Sequence, residues 1–341
     1  MSIRKVRVDD AVGMVVAHDM TQIIPGEYKG PVFRKGHIIR SDDIQHLKDM
    51  GKEHIFLIDL HEGQLHEDEA VRRMAEAVAG ENVFLTAAQE GRVNIKAAVD
   101  GLLKINREAV EAVNLVEHAV LSTLHSNRVV RAGELVAGVK IVPLVVEEAT
   151  VSAVEALGRN SQGLISVKPL ENKAVGVVIT GNEVFYGRIE DKYAPVIAAK
   201  MNLYGAQVMD TVFQPDDREK IVAAIMEFKR RGADIVIATG GMSVDPDDVT
   251  AAAIRSTGAK VVTYGSPVLP GAMFMLAYLG DMAVIGMPAC GMYSKITVLD
   301  MVLPRILIGE KLTKTDIAKL GYGGLCMACE TCRYPQCSFG K

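Results

Sequence analysis

Two short turns hold the residues best placed for chemistry. "TGNE", Thr180 to Glu183, closes the apolar run "AVGVVIT". "TGGMS", Thr239 to Ser243, closes the apolar run "DIVIAT". Glycine lets a backbone approach a ligand and present its N–H groups, and a helix starting just beyond favours an anion. Both turns therefore suit a phosphate. Carboxylates crowd nearby: Asp245, Asp247 and Asp248 follow the second turn, and Asp216 and Asp217 open another helical stretch, after the neighbouring strand. Facing a phosphate directly, they would repel it. A divalent cation removes that conflict, because Mg²⁺ is held by one or two carboxylates together with substrate phosphates and water. The competing reading is that each Asp caps a helix, worth about 1 kcal/mol. A third cluster, Cys326, Cys329, Cys332 and Cys337, has the spacing C-x₂-C-x₂-C-x₄-C. Four thiolates this close can close one tetrahedral Zn²⁺ site or ligate an iron–sulfur cluster. They can also remain a reduced tail.

The elements that must position these groups have a clear periodicity. From residue 173 onward, "AVGVVIT", "AQVMDTVF", "DIVIAT", "AKVVTYG" and "DMAVIGM" are apolar strands. They alternate with helical patterns at "YAPVIAAKMNLYG", "DDREKIVAAIMEFKRRG", "DVTAAAIRSTG" and "YSKITVLDMVLPRIL". That alternation predicts an α/β domain, a doubly wound and mostly parallel sheet covered on both faces, with ligands at the carboxyl ends of the strands. Upstream, residues 1–60 form a small β-rich domain, and 61–172 a mixed α+β region that includes a helix "EEATVSAVEALG" ended by Gly158. The α/β domain spans 173–310, and 311–341 is a short Cys-rich tail.

Composition narrows the partners. A net charge of −4, 5% aromatics and no Trp give no nucleic-acid footprint. No apolar run reaches the roughly 18 residues that cross a bilayer, so no membrane partner is expected. "MSIRKVRVDD" lacks a signal-peptide core, so a cytoplasmic protein is expected. The eight His residues show no H-x-x-x-H spacing. There is neither a G-x-x-x-x-G-K-[ST] loop nor a G-x-G-x-x-G fingerprint.

Taken in order, "VGVVITGNEVFYGRIEDKYAPVIAAKMNLYGAQV", "QPDDREKI", "DIVIATGGMSVDPDD", "LPG" and "GMPA" resemble the molybdopterin-binding domain of molybdenum-cofactor biosynthesis proteins, over about Lys173 to Ile308. The pattern looks closest to the molybdopterin molybdotransferase branch, which includes the gephyrin E domain. The resemblance implies a doubly wound domain that binds molybdopterin or adenylylated molybdopterin at these strand ends. It also implies Mg²⁺-dependent release of AMP with insertion of molybdate. By position Thr180, Gly181 and Glu183 match the T-G-x-E turn, with Asn182 inside it. Asp216 and Asp217 match the D-D pair. Gly240, Gly241, Ser243 and Asp248 match the G-G-x-S…D loop, with Thr239 before it and Asp245 within it. Pro270, Gly271 and Pro288 fall in the P-G and G-L-P turns. Asp216, Asp248 and Glu183 are the implied catalytic residues, the first two also the metal ligands. A homo-oligomer, with a dimer favoured, is implied too.

The chain also departs from that pattern. Tyr193 stands where the family has an amide. Cys290 and Gly291 follow Pro288-Ala289, and the run before Pro270 has no lysine. Lys295, Lys29 or residues of the basic loop around Arg34 and Lys35 are candidates to supply the missing cation. The alternative function is a non-catalytic carrier or sensor of the cofactor, with a metal-binding Cys tail.

Overall fold

The computed structural model describes residues 3–14, 16–24, 28–35, 37–58, 62–160, 163–243 and 248–340. It divides into two compact units. One comprises residues 1–99, 105–124 and 131–167; the other comprises 100–104, 125–130 and 168–341.

The elements of the chain up to residue 168 are, in order, β1 (Ile3–Arg7), β2 (Met20–Ile24), β3 (Tyr28–Phe33), α1 (Asp43–Asp49), β4 (His54–Ile58), β5 (Gln64–His66), α2 (Glu67–Val78), β6 (Val83–Leu85), β7 (Arg92–Ala97) and β8 (Gly101–Ile105). Then come α3 (Arg107–Asn114), β9 (Ala119–Thr123), β10 (Val129–Val130), β11 (Leu135–Ile141), β12 (Val145–Glu147), α4 (Glu148–Asn160) and β13 (Ile165–Lys168). In the first unit β1 pairs with β4, β2 with β3 and β5 with β12, all antiparallel. A four-stranded antiparallel sheet runs β6-β7-β11-β9. The helix expected to stop at Gly158 continues to Asn160. A Cβ at Gly158 would lie 2.1 Å from the Ala77 carbonyl oxygen. Glycine here is a contact surface between α4 and the end of α2, and it does not terminate the helix.

The second unit carries β14 (Ala174–Thr180), the short α5 (Asn182–Phe185), α6 (Tyr193–Tyr204), β15 (Gln207–Gln214), α7 (Arg218–Arg230), β16 (Ile235–Thr239) and α8 (Thr250–Ser256). It continues with β17 (Lys260–Tyr264), β18 (Met275–Leu279), β19 (Met282–Met287), α9 (Val298–Leu307) and α10 (Lys314–Lys319). Six strands form one sheet in the order β15-β14-β16-β19-β18-β17. The pairs β14–β15, β14–β16 and β16–β19 are parallel. β18 and β17 complete the edge antiparallel.

The sheet is doubly wound, as its strand composition requires. Ile197 and Met201 of α6 and the buried side of α9 pack against one face. Ile221, Ile225 and Phe228 of α7, with Ala253 and Ile254 of α8, pack against the other. Strands such as Ile235–Thr239 are buried at every position because both faces are covered.

Two elements differ from the sequence expectation. β18 was hidden inside one long apolar stretch, where periodicity cannot separate two buried strands joined by a two-residue turn, Gly280-Asp281. The last expected helix does not begin near Tyr293. A 3₁₀ turn covers Ala289–Met292, and α9 starts after Thr297, whose hydroxyl and the Asp300 carboxylate form a reciprocal capping box. Among the described residues no helix is long and apolar enough to cross a membrane.

Candidate functional site

The parallel register pairs Ile179 of β14 with Thr239 of β16, so the two glycine turns leave the sheet side by side. They are locked together. The buried Thr180 hydroxyl donates to the Thr239 carbonyl at 3.1 Å and shares a hydrogen bond with the Thr250 hydroxyl at 2.9 Å. Gly240 has φ 90°, and a Cβ there would lie 2.1 Å from the Thr180 carbonyl oxygen. Gly241 has φ 51°, and its carbonyl accepts from Thr250 N at 3.1 Å. Only glycine satisfies both the left-handed backbone and the close approach.

Immediately beyond this junction lies a pocket of about 400 Å³. Its walls come from four loops. Gly240, Gly241, Met242, Ser243 and Asp248 form one side. Leu269, Pro270, Gly271, Ala272 and Met273 form a second. Pro288, Ala289 and Cys290 form a third, and Tyr193 at the start of α6 completes it. Seven of the residues proposed for cofactor binding or catalysis thus meet in one place: Gly240, Gly241, Ser243, Asp248, Pro270, Gly271 and Pro288. Among the described residues of these walls Asp248 is the charged one, and none is a lysine or arginine.

Tyr193 and Cys290, two of the departures from the resembled pattern, are both part of the lining. Burial pushes the Tyr193 phenol up in pKa, so it offers a neutral O–H at physiological pH. Burial likewise raises the Cys290 thiol, which stays an S–H. Gly271 has φ 135°, and a Cβ on it would lie 2.7 Å from Val298 at the start of α9. That contact seats the second wall against the helix. Tyr264 donates its hydroxyl to the Met242 carbonyl at 3.0 Å, and Arg255 stacks over its ring at 5.0 Å, which braces the loop behind the pocket.

The other site residues stand outside these walls. Asp216 and Asn182 latch together: Asn182 N donates to Asp216 Oδ2 at 2.9 Å, and Asp216 N donates to Asn182 Oδ1 at 3.3 Å. Asp217 caps α7 by accepting from Glu219 N and Lys220 N, so for this acid the capping reading holds. Gly181, at φ 140°, lies against the Glu183 carboxylate, and Glu183 is exposed. Asp245 and Asp247 lie outside the described residues. Asp216 and Asp248 were paired as metal ligands from the sequence. Among the described residues, however, no three His, Cys, Asp or Glu side chains are gathered in a group fit for a metal ion.

The four tail thiols, expected from their spacing to hold zinc or an iron–sulfur cluster, are likewise not gathered into one group. Cys326 and Cys337 are half-buried against the core of the sheet, while Cys329 and Cys332 are exposed. The lining residues Met242, Leu269, Ala272, Met273 and Ala289 were not anticipated. The available signal was their adjacency to the G-G, P-G and M-P turns, because small apolar residues carry no chemical mark of their own.

Residues 176–307 match the family model of the probable molybdopterin binding domain. Residues 5–59 match a domain of unknown function. A CinA-like protein of Amoebophilus asiaticus is 38% identical over 78 residues, 23% of this chain and 19% of that protein. A molybdopterin adenylyltransferase of Pyrococcus furiosus is 30% identical over 90 residues, 26% of this chain and 53% of that protein. The chain spans no more than a third of the first curated relatives it matches, reaching 33% for a protein of Pyrobaculum calidifontis. Among solved structures, the molybdopterin biosynthesis enzyme MoaB of Thermus thermophilus is 18% identical, with a TM-score of 0.34 over 40% of this chain and 98% of that one.

Proposed function

We propose that this protein acts in molybdenum-cofactor biosynthesis, binding molybdopterin or its adenylylated form in the pocket beside Gly240-Gly241. The observation that carries the reading is the convergence of the G-G, P-G and M-P turns on one cavity of about 400 Å³ with the Asp248 carboxylate in its wall. The apolar side chains of Leu269, Met242 and Met273 suit a flat heteroaromatic ring, and the glycine turn brings its backbone close enough to meet a phosphate.

The reaction we assign is of the molybdotransferase type, in which the phosphoanhydride of adenylylated molybdopterin is broken, AMP leaves and molybdate enters as the second substrate. The cation for this step is Mg²⁺. Asp248 suits it, because Mg²⁺ takes few protein ligands and fills its shell with phosphate oxygens and water. Bound there, Mg²⁺ would neutralise charge on the phosphates. Asp216 acts differently. By holding Asn182 it ties the first turn to the connection between β15 and α7, which makes it a positioning residue.

A second reading, a carrier or sensor of the cofactor, is favoured by the absence of lysine and arginine from the described walls. An oxyanion such as molybdate is best retained by a cation. In either reading the Cys tail is a metal-binding element, holding zinc or an iron–sulfur cluster.

The deciding assay is anaerobic AMP release from adenylylated molybdopterin with Mg²⁺, with and without molybdate. Molybdate-dependent release supports the transferase. Asp248→Asn then lowers turnover far more than affinity, because an interaction made mainly in the transition state appears in the rate. Tight binding without release supports the carrier. No binding of either pterin form overturns both.

A further inference from the structure

One buried polar group at the strand ends is left without a partner. Thr239 is fully buried, and its hydroxyl closes no hydrogen bond to any described residue. The Thr180 hydroxyl bonds the Thr239 carbonyl, so the junction of the two turns uses the backbone of Thr239 and not its side chain. A buried hydroxyl left unpaired is costly, and a folded chain keeps few of them. The Tyr193 phenol stands beside it, near enough to interact, without closing the bond.

Tyr193 is also a wall of the ligand pocket, and it is held rigidly there. Its own N–H and that of Ala194 donate to the Asp191 carboxylate at 2.9 and 2.8 Å, which seats the first turn of α6. Its ring belongs with Ile197 and Met201 to the core under the sheet. Burial keeps the phenol protonated, and Cys290, Tyr293 and Asp191, the titratable groups within electrostatic reach, act in the same direction. Surroundings that oppose a phenolate also oppose an anionic ligand oxygen at that point, and no lysine or arginine among the described walls offsets them. A proton count then fixes the complement. Two adjacent hydroxyls carry two protons, and only one can be used between them. The pair therefore needs one more acceptor, and a neutral one.

We propose that Tyr193 is a specificity-determining residue of the pocket, whose hydroxyl donates to a neutral ring carbonyl of the bound heterocycle while Thr239 donates to the phenol oxygen from behind. This inference rests on reading the cavity as the pterin site, and it deepens that reading. The pocket recognises the carbonyl edge of a cyclic amide and leaves the phosphate to the backbone of the glycine turns. Hydroxyl hydrogens turn to complete the chain from Thr239 through Tyr193 to the ligand. A ring that presents an amino group instead of the carbonyl leaves the Thr239 proton without an acceptor. Thr239 acts through Tyr193 and is a positioning residue.

The test titrates the full chain with pterin and with diaminopteridine, in which an amino group replaces the ring carbonyl, each followed by its own fluorescence. Molybdopterin is titrated separately under anaerobic conditions. The wild type should prefer pterin by about 10-fold, the worth of one neutral buried hydrogen bond. Tyr193→Phe keeps the ring and its packing and should abolish that preference. Thr239→Val removes a hydroxyl that is unpaired in the free protein, so it should weaken pterin binding by roughly 3-fold without lowering the unfolding midpoint. A Thr239→Val chain that loses stability and keeps its pterin affinity overturns the hydroxyl chain. Pterin affinity that is absent from the wild type, or equal in the wild type and Tyr193→Phe, overturns the assignment of Tyr193 while bound molybdopterin still upholds the pocket. Failure of the wild type to bind molybdopterin overturns the pocket reading and this inference with it.

Discussion

Gly240→Ala tests the junction between the two glycine turns, and Gly258→Ala is its control. The backbones are nearly alike, with φ 90° at Gly240 and 81° at Gly258, but the space around them is not. A Cβ at Gly258 meets nothing within 4 Å, whereas at Gly240 it falls 2.1 Å from the Thr180 carbonyl oxygen. The control bears only the left-handed backbone cost of a non-glycine residue, about 1–2 kcal/mol. Gly240→Ala bears that and must also push the end of β14 away. The displacement breaks the hydrogen bonds of the Thr180 hydroxyl to Thr239 and Thr250, each worth about 1 kcal/mol net, in a buried setting where unsatisfied groups cost more. The expected loss is about 3–5 kcal/mol against about 1–2 kcal/mol for the control. Denaturant unfolding followed by far-ultraviolet circular dichroism measures both, and pterin binding should disappear only in Gly240→Ala. Equal losses in the two variants would refute the claim that close approach makes Gly240 obligatory.

Lys200 lies buried with its ammonium 2.6 and 2.7 Å from the two oxygens of Asp300 and 2.9 Å from the Lys295 carbonyl. Lys200→Met leaves the buried Asp300 carboxylate without its counter-charge and should cost about 3–5 kcal/mol in unfolding experiments. His66 caps α2, accepting at Nδ1 from Lys35 Nζ at 2.7 Å and from Asp68 N, and donating from Nε2 to the Ala17 carbonyl at 2.6 Å. Burial, and then the Lys35 charge, hold its pKa below the ordinary 6.5. The unfolded chain therefore binds a proton that the folded one refuses, and stability falls as pH drops below about 6.5. His66→Gln should flatten that part of the unfolding free energy plotted against pH, and an unchanged slope would remove His66 from the account.

Much of the α/β unit was legible from residues 173–310. Fully apolar strands, acid-first and base-last helices such as Arg218–Arg230, and glycine stops at Gly205 and Gly232 are local signals with local causes. The site was legible where a motif needs glycine or proline for its backbone, as at Gly240, Gly241, Pro270 and Gly271. It was less legible at the acids. Asp216, Asp217 and Asp248 are one residue type near helix starts, and only their partners separate a latch, a cap and a pocket wall.

The sequence by itself determined that a doubly wound sheet would present two glycine turns and a run of carboxylates at its strand ends, because periodicity and backbone requirements are written residue by residue. Tertiary structure alone decided which groups share a pocket, since that depends on loops far apart in the chain. Tyr193, Asp248, Leu269 and Cys290 meet in one cavity because the order of the strands brings their loops together. The tail touches this site for the same reason: a backbone amide at Cys326 finds the carbonyl of Leu269, a pairing that leaves no trace in side-chain pattern.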